Sequence, residues 1–143
     1  MKKAHASNIL TLNTGDVNYA IRNEYGEEIG SIRFNPADMD IMRRCDQVEQ
    51  WFKELEIPDE PTIDDFFALT DKIKAQFDFL LNRNVSGEVF KVCNPLTLTA
   101  DGSYYYTNVL DAVMQIIAET VKERRAKSEQ RIAEAVAELT ENE

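Results

Sequence analysis

The chain has 143 residues, with 26 acidic side chains against 16 basic ones and a formal net charge of -10. That length suits one domain with a core large enough to need no staples. The ordinary apolar content, 43%, argues against wholesale disorder. The acidic excess argues against a general nucleic-acid binder and against docking to an anionic membrane, both of which need clustered Lys and Arg. It suits a basic partner surface, or it serves only to solvate the molecule.

The opening MKKAHASNIL is basic, but no long apolar stretch follows it, so a secretory signal is not expected. No segment approaches the ~20 apolar residues of a membrane span. Cys45 and Cys93 are far apart and lack paired metal-ligand spacing. They are read as two buried thiols in a reducing, cytoplasmic setting.

Val17 to Ile21 alternates apolar and polar residues, the period of a strand with one buried face. Ile29 to Phe34 forms a second run, with Ile32 and Phe34 on one face and Ile29 out of phase with them. Between them lies Asn23-Glu24-Tyr25-Gly26-Glu27, whose glycine can take positive φ. A β-hairpin over residues 17–34 is predicted. Asn8 to Leu12 would make a third strand of a meander through the turn Asn13-Thr14-Gly15-Asp16. A hairpin of two strands is marginal alone, so it must pack on helices or on another copy.

A helix over 36–56 is predicted next, with Asn35 as its cap, Pro36 in the first position and Asp38 bonding back. Ile41, Cys45, Val48, Trp51, Phe52 and Leu55 give it one apolar stripe. Ile57-Pro58-Asp59-Glu60-Pro61 breaks it. A helix over 62–82 starts at Thr62 as cap. Its stripe is Phe66, Leu69, Ile73, Phe77 and Leu80, broadened by Phe67, Phe79 and Leu81. A core is the expected use of these aromatics, with a peptide groove as the alternative. Ser86 would cap a short helix to Val92, and Asn94-Pro95 and Ala100-Asp101-Gly102-Ser103 read as turns.

A last helix begins near Tyr105. Val109, Val113, Ile116, Ile117 and Val121 give residues 105–125 a buried stripe. Glu123 to Arg131 is almost wholly charged, and Ile132, Val136 and Leu139 then restore a thin stripe. Residues 1–125 are therefore taken as one domain and 126–143 as a charged helical extension. The late stripe either meets a partner or belongs to a solvated tail. The fold class is α+β, mainly α, with the hairpin or meander packed on about three main helices.

Little in the chain promises catalysis. The single histidine is His5, so a His-based triad or a His-rich metal site is not expected. There is no phosphate-binding glycine loop, nucleophile elbow or calcium-loop spacing. Asp38 with Asp40, and Asp64 with Asp65, could hold Mg²⁺ or move protons. Both pairs sit in predicted first turns, where capping and the helix dipole explain acids without chemistry. Tyr104-Tyr105-Tyr106 could stack on bases, but without a basic groove it reads as core and rim. No catalytic residue, cofactor or metal is assigned.

The order of short motifs carries a resemblance. Ile32-Arg33-Phe34-Asn35-Pro36-Ala37-Asp38 closes the hairpin, and Phe77-Asp78-Phe79-Leu80-Leu81-Asn82 precedes Val85-Ser86 and Val89-Phe90. Asn94-Pro95-Leu96, the run from Ala100 to Tyr106 and Asn108-Val109-Leu110-Asp111-Ala112 follow. Over roughly residues 17–125 this resembles a family of small proteins from tailed phages and prophages of Gram-positive bacteria. It is similar in size and layout to the tail assembly chaperones of long-tailed phages. The resemblance implies binding to the tape-measure protein and the tail tube protein during tail assembly in the host cytoplasm. It supplies no ligand-binding residues.

The expected contact residues come from the pattern itself: Ile132, Val136 and Leu139 first, Phe67 and Phe79 second. Self-association into a homo-oligomer is a further expectation. Two other functions compete, a structural connector or tail-completion subunit retained in the particle and an acidic inhibitor of a host protein. A mimic of nucleic acid needs acids along one face, whereas these are interleaved with Lys and Arg.

Overall fold

A computed structural model of the chain describes residues 8–141. Its elements are β1 (Val17–Arg22), β2 (Glu28–Phe34), α1 (Asp40–Lys53), α2 (Ile63–Leu81), a short α3 (Ser86–Val89) and α4 (Tyr105–Glu141). Of the described residues 55% are in helix and 11% in strand, an α+β fold that is mainly α.

β1 and β2 pair antiparallel, with Val17 opposite Phe34, Tyr19 opposite Ile32 and Ile21 opposite Gly30. These residues share the face turned to the helices, and Phe34 is wholly buried there. The register then slips: Arg22 faces Glu28, which leaves Ile29 as the extra residue of a β-bulge. The bulge explains why Ile29 is out of phase with Ile32 and Phe34. Asn23 closes the turn by accepting the backbone N–H groups of Tyr25 and Glu27, and Gly26 takes φ +79°.

Asn8 to Leu12 does not form the third strand of a meander. Residues 8–16 are not in a strand, and the sheet has two strands among the described residues. Side chains hold the end of this segment instead. The Asn35 amide donates to the Thr14 carbonyl (2.7 Å), and Arg124 donates to the Gly15 carbonyl (2.8 Å).

α1 starts four residues later than the capping pattern predicts. Asn35 accepts the Ala37 N–H and Asp38 accepts the Asp40 N–H, two successive side-chain turns that delay the helix to Asp40. Pro36 is buried in this lead-in rather than in the first helical turn. At the other end α1 stops at Lys53, short of Glu56. α2 matches its predicted start, since Thr62 accepts the Asp65 N–H, and it ends on Asn82 in the left-handed region (φ 51°). α3 is shorter than the predicted run to Val92, and Ser86 does not cap it. The Ser86 N–H and hydroxyl both donate to Asp78, whose carboxylate also accepts the Val85 N–H at 2.8 Å.

The core gathers Phe34, Ile41, Val48, Ile73, Phe77, Leu80, Val113 and Ile117. A chain of rings ties the helices together. Phe52 of α1 stacks on Tyr106 of α4 at 5.1 Å and meets Phe77 of α2, which meets Phe90 edge-on. The tyrosine run is core and rim: Tyr106 is buried, half-buried Tyr104 stacks on it, and the hydroxyl of half-buried Tyr105 donates to the Val89 carbonyl. α3 lies against β2 because Gly30 lacks a side chain. A Cβ there would sit 3.0 Å from the Glu88 carbonyl oxygen.

Two predictions follow from these polar anchors. Replacing Asp78 by Ala strips the acceptor from three donors and should cost about 2 kcal/mol in urea unfolding; a loss below ~0.5 kcal/mol would contradict the anchoring role. Asp101 accepts the Ser103 hydroxyl and N–H and the Thr99 hydroxyl, which together lower its pKa from 3.8 to about 2. Because the folded value lies below the unfolded one, its contribution is complete above the ordinary carboxylate range and disappears as pH falls toward about 2. An NMR titration should show that depressed midpoint, and Ser103→Ala should raise it; an ordinary midpoint in the native chain would refute the assignment.

Candidate protein-contact surface

α4 has 37 residues, a rod of about 55 Å at ~1.5 Å per residue. Only its first half has a body to lie on. Tyr106, Val113 and Ile117 are buried, and Val109, Ile116 and Val121 are half-buried. From Arg125 through Glu141 every residue is exposed.

The junction is made by Arg124. One guanidinium nitrogen donates to the Asn35 side-chain oxygen (3.0 Å) and another to the Gly15 carbonyl (2.8 Å). The same Asn35 holds Thr14, so one side chain and one backbone segment tie α4 to the entry of β1 and the exit of β2. Gly15 is required for this approach. It takes φ +86°, and a Cβ on it would lie 2.7 Å from the Arg124 guanidinium. The sequence pattern placed Arg124 inside a charged stretch and gave no sign of its role. Asn35 and Gly15 stood out only as a cap and a turn residue.

Beyond the junction, Ile132, Val136 and Leu139 are 61%, 56% and 69% exposed. Their four- and three-residue spacing keeps them within one side of the helix. Charge is ordered along this stretch. Residues 122–131 hold five bases and two acids, whereas 132–141 hold three acids and no base. An open groove of about 660 Å³ lies between Asn13 and the α4 side chains Arg124, Lys127, Ser128, Arg131 and Ile132.

Phe67 and Phe79 are also exposed, at 54% and 44%. Twelve positions apart, they differ by about 120° around α2 and ~18 Å along it, so they do not make one surface. Phe67 packs edge-on against Phe66. The late stripe therefore stands as the one coherent apolar face among the five side chains singled out.

The first acidic pair has structural partners. Asp38 accepts both the Asp40 N–H and the Arg44 guanidinium, which lower its pKa, and Arg44 also donates to the Leu80 carbonyl at the end of α2. Asp40 lies 3.8 Å from Arg43. Cys45 and Cys93 are half-buried and not fully buried as expected, and this partial burial raises the pKa of both thiols and weakens them as nucleophiles. Among the described residues no three His, Cys, Asp or Glu side chains gather as a metal site, and no helix is long and apolar enough to cross a membrane.

No family model, curated protein or solved structure matches the chain.

Removing the Arg124 clamp should destabilise the fold in a way its exposed neighbours do not. Arg124→Met is expected to cost about 1.5 kcal/mol in urea unfolding, and Arg131→Met less than ~0.5 kcal/mol. Equal costs for the two would mean that the clamp contributes nothing.

Proposed function

We propose that the chain is a binding protein, an assembly chaperone or adaptor of the tailed-phage kind, rather than an enzyme. Its partners on this reading are the tape-measure protein and the tail tube protein, met in the cytoplasm of the bacterial host during tail morphogenesis. The observation that carries the reading is the projecting half of α4, which presents Ile132, Val136 and Leu139 to solvent on a helix. A helical partner can lay its own apolar face along such a stripe, the helix-on-helix mode of peptide recognition. A long helical client with exposed apolar faces is the kind of chain that needs such cover. The net charge of -10 would keep a complex of this kind dispersed. The resemblance in size and layout to tail assembly chaperones suggests the client.

The test uses full-length protein co-expressed with the tape-measure protein of the same genome. Native chain should co-purify with it and be missing from finished particles. The triple variant I132D/V136D/L139D should weaken the complex at least ~30-fold, about 2 kcal/mol, while the domain stays folded because all three side chains are exposed. Unchanged affinity would remove the stripe from the interface. Stoichiometric recovery of this chain from particles would point to a structural subunit instead.

A further inference from the structure

The hairpin leaves one strand edge open, beside an apolar wall. The Ser31 N–H donates to the Glu88 carboxylate at 3.1 Å, so it points away from β1. In an antiparallel ladder this makes the Ala20–Ser31 pair a non-hydrogen-bonded one. The N–H and C=O of Ala20, and of Asn18 two positions away, then face outward from the sheet. Among the described residues no strand pairs with that side of β1.

A groove of about 320 Å³ runs along this edge. It is lined by four consecutive residues of β1, Tyr19 to Arg22, and reaches under the helix-facing side of the hairpin to Ile32 and Val89, so it opens at the β1 edge. Its other wall is α4, with Val109, Val113 and Ile116. An open backbone edge facing an apolar helix is a site for an added strand.

The chain itself carries a segment that fits. Ile9, Leu10 and Leu12 are 81%, 83% and 67% exposed and precede β1 in a stretch outside any strand. Leu10 and Leu12 are two apart and share one side of an extended chain. The segment does not occupy its own groove in the structure. Thr14 and Gly15 are pinned by Asn35 and Arg124, and Asn13 lies beside α4 residues from Arg124 to Ala135. The groove lies beside Tyr105 to Ile116, toward the opposite end of α4.

We propose that residues 8–12 of one copy add as a third strand to the β1 edge of a second copy, with Leu10 and Leu12 against α4, in a reciprocal two-fold exchange. Neither residues 8–15 nor the groove residues include an acid, in a chain with 26 of them, so the contact avoids the repulsion between two copies of charge -10. Each large aliphatic side chain brings on the order of 100 Å² of apolar surface. Leu10 and Leu12 of one arm, doubled for the groove wall and again for the second arm, give roughly 800 Å², in the range of weak, transient contacts and below that of stable interfaces. The dimer is therefore weak and concentration-dependent. The inference does not depend on the tail-assembly reading, because it uses neither the late stripe nor a phage partner.

Sedimentation equilibrium of the full-length chain over micromolar to millimolar concentrations tests it. Native protein should show a reversible monomer–dimer equilibrium. L10D/L12D should raise its dissociation constant at least tenfold, and T11D, on the other side of the arm, less than threefold. A20P removes one outward N–H that the hairpin does not use, and it should weaken the dimer with little change in the thermal midpoint. A native chain that stays monomeric throughout, or a dimer indifferent to L10D/L12D, would overturn the proposal. So would an arm variant that destabilises the monomer without changing association, since that outcome places the arm on its own edge.

Discussion

The structure depends on a mismatch between one helix and the body it packs on. α4 buries Tyr106, Val113 and Ile117 among the other helices and the hairpin, and the last tie to that body is Arg124 on Asn35 and Gly15. An arginine suits this place. Its planar fork reaches two acceptors at once and keeps its charge at the edge of the core. The clamp orders three otherwise separate pieces: the helix, the turn entering β1 and the chain leaving β2. It also decides what stays free. The helix beyond it and the segment before Asn13 both carry apolar side chains in solvent.

Four of the acids are used in a similar way within the body. Asp38, Asp78, Glu88 and Asp101 each accept backbone N–H groups from turns or a strand edge. A carboxylate accepting such bonds fixes irregular chain that has no ladder of its own. These four carboxylates converge on the protein's own backbone.

Much of the fold was legible because it rests on local periodicity. The two-residue alternation of Val17 to Ile21 and the three- and four-residue steps in α1, α2 and α4 correctly mark the buried faces. The Thr62 cap and the out-of-phase Ile29 were readable too. Three features were not. The start of α1 moved because Asn35 and Asp38 both satisfy turns, and a cap pattern cannot tell one turn from two. Asn8 to Leu12 has strand composition without a strand partner, since pairing is a tertiary matter. Arg124 binds residues 89 and 109 positions away, and no window along the chain contains that information. For the contact surface, the late stripe was legible as a pattern, and the structure adds its exposure. The aromatic alternative on α2 weakens once Phe67 and Phe79 are seen to face different directions.

The central claim is that α4 is one helix with two environments, divided at Arg124. Amide hydrogen exchange along α4, at a concentration low enough to keep the chain monomeric, tests it most directly. Residues 106–121 should exchange only through opening near the global unfolding free energy, and those from about 126 to 141 much faster, with a step at the clamp. Uniform slow exchange through Glu141 in the monomer would contradict the account, because it would mean that the distal half is covered by the rest of the chain.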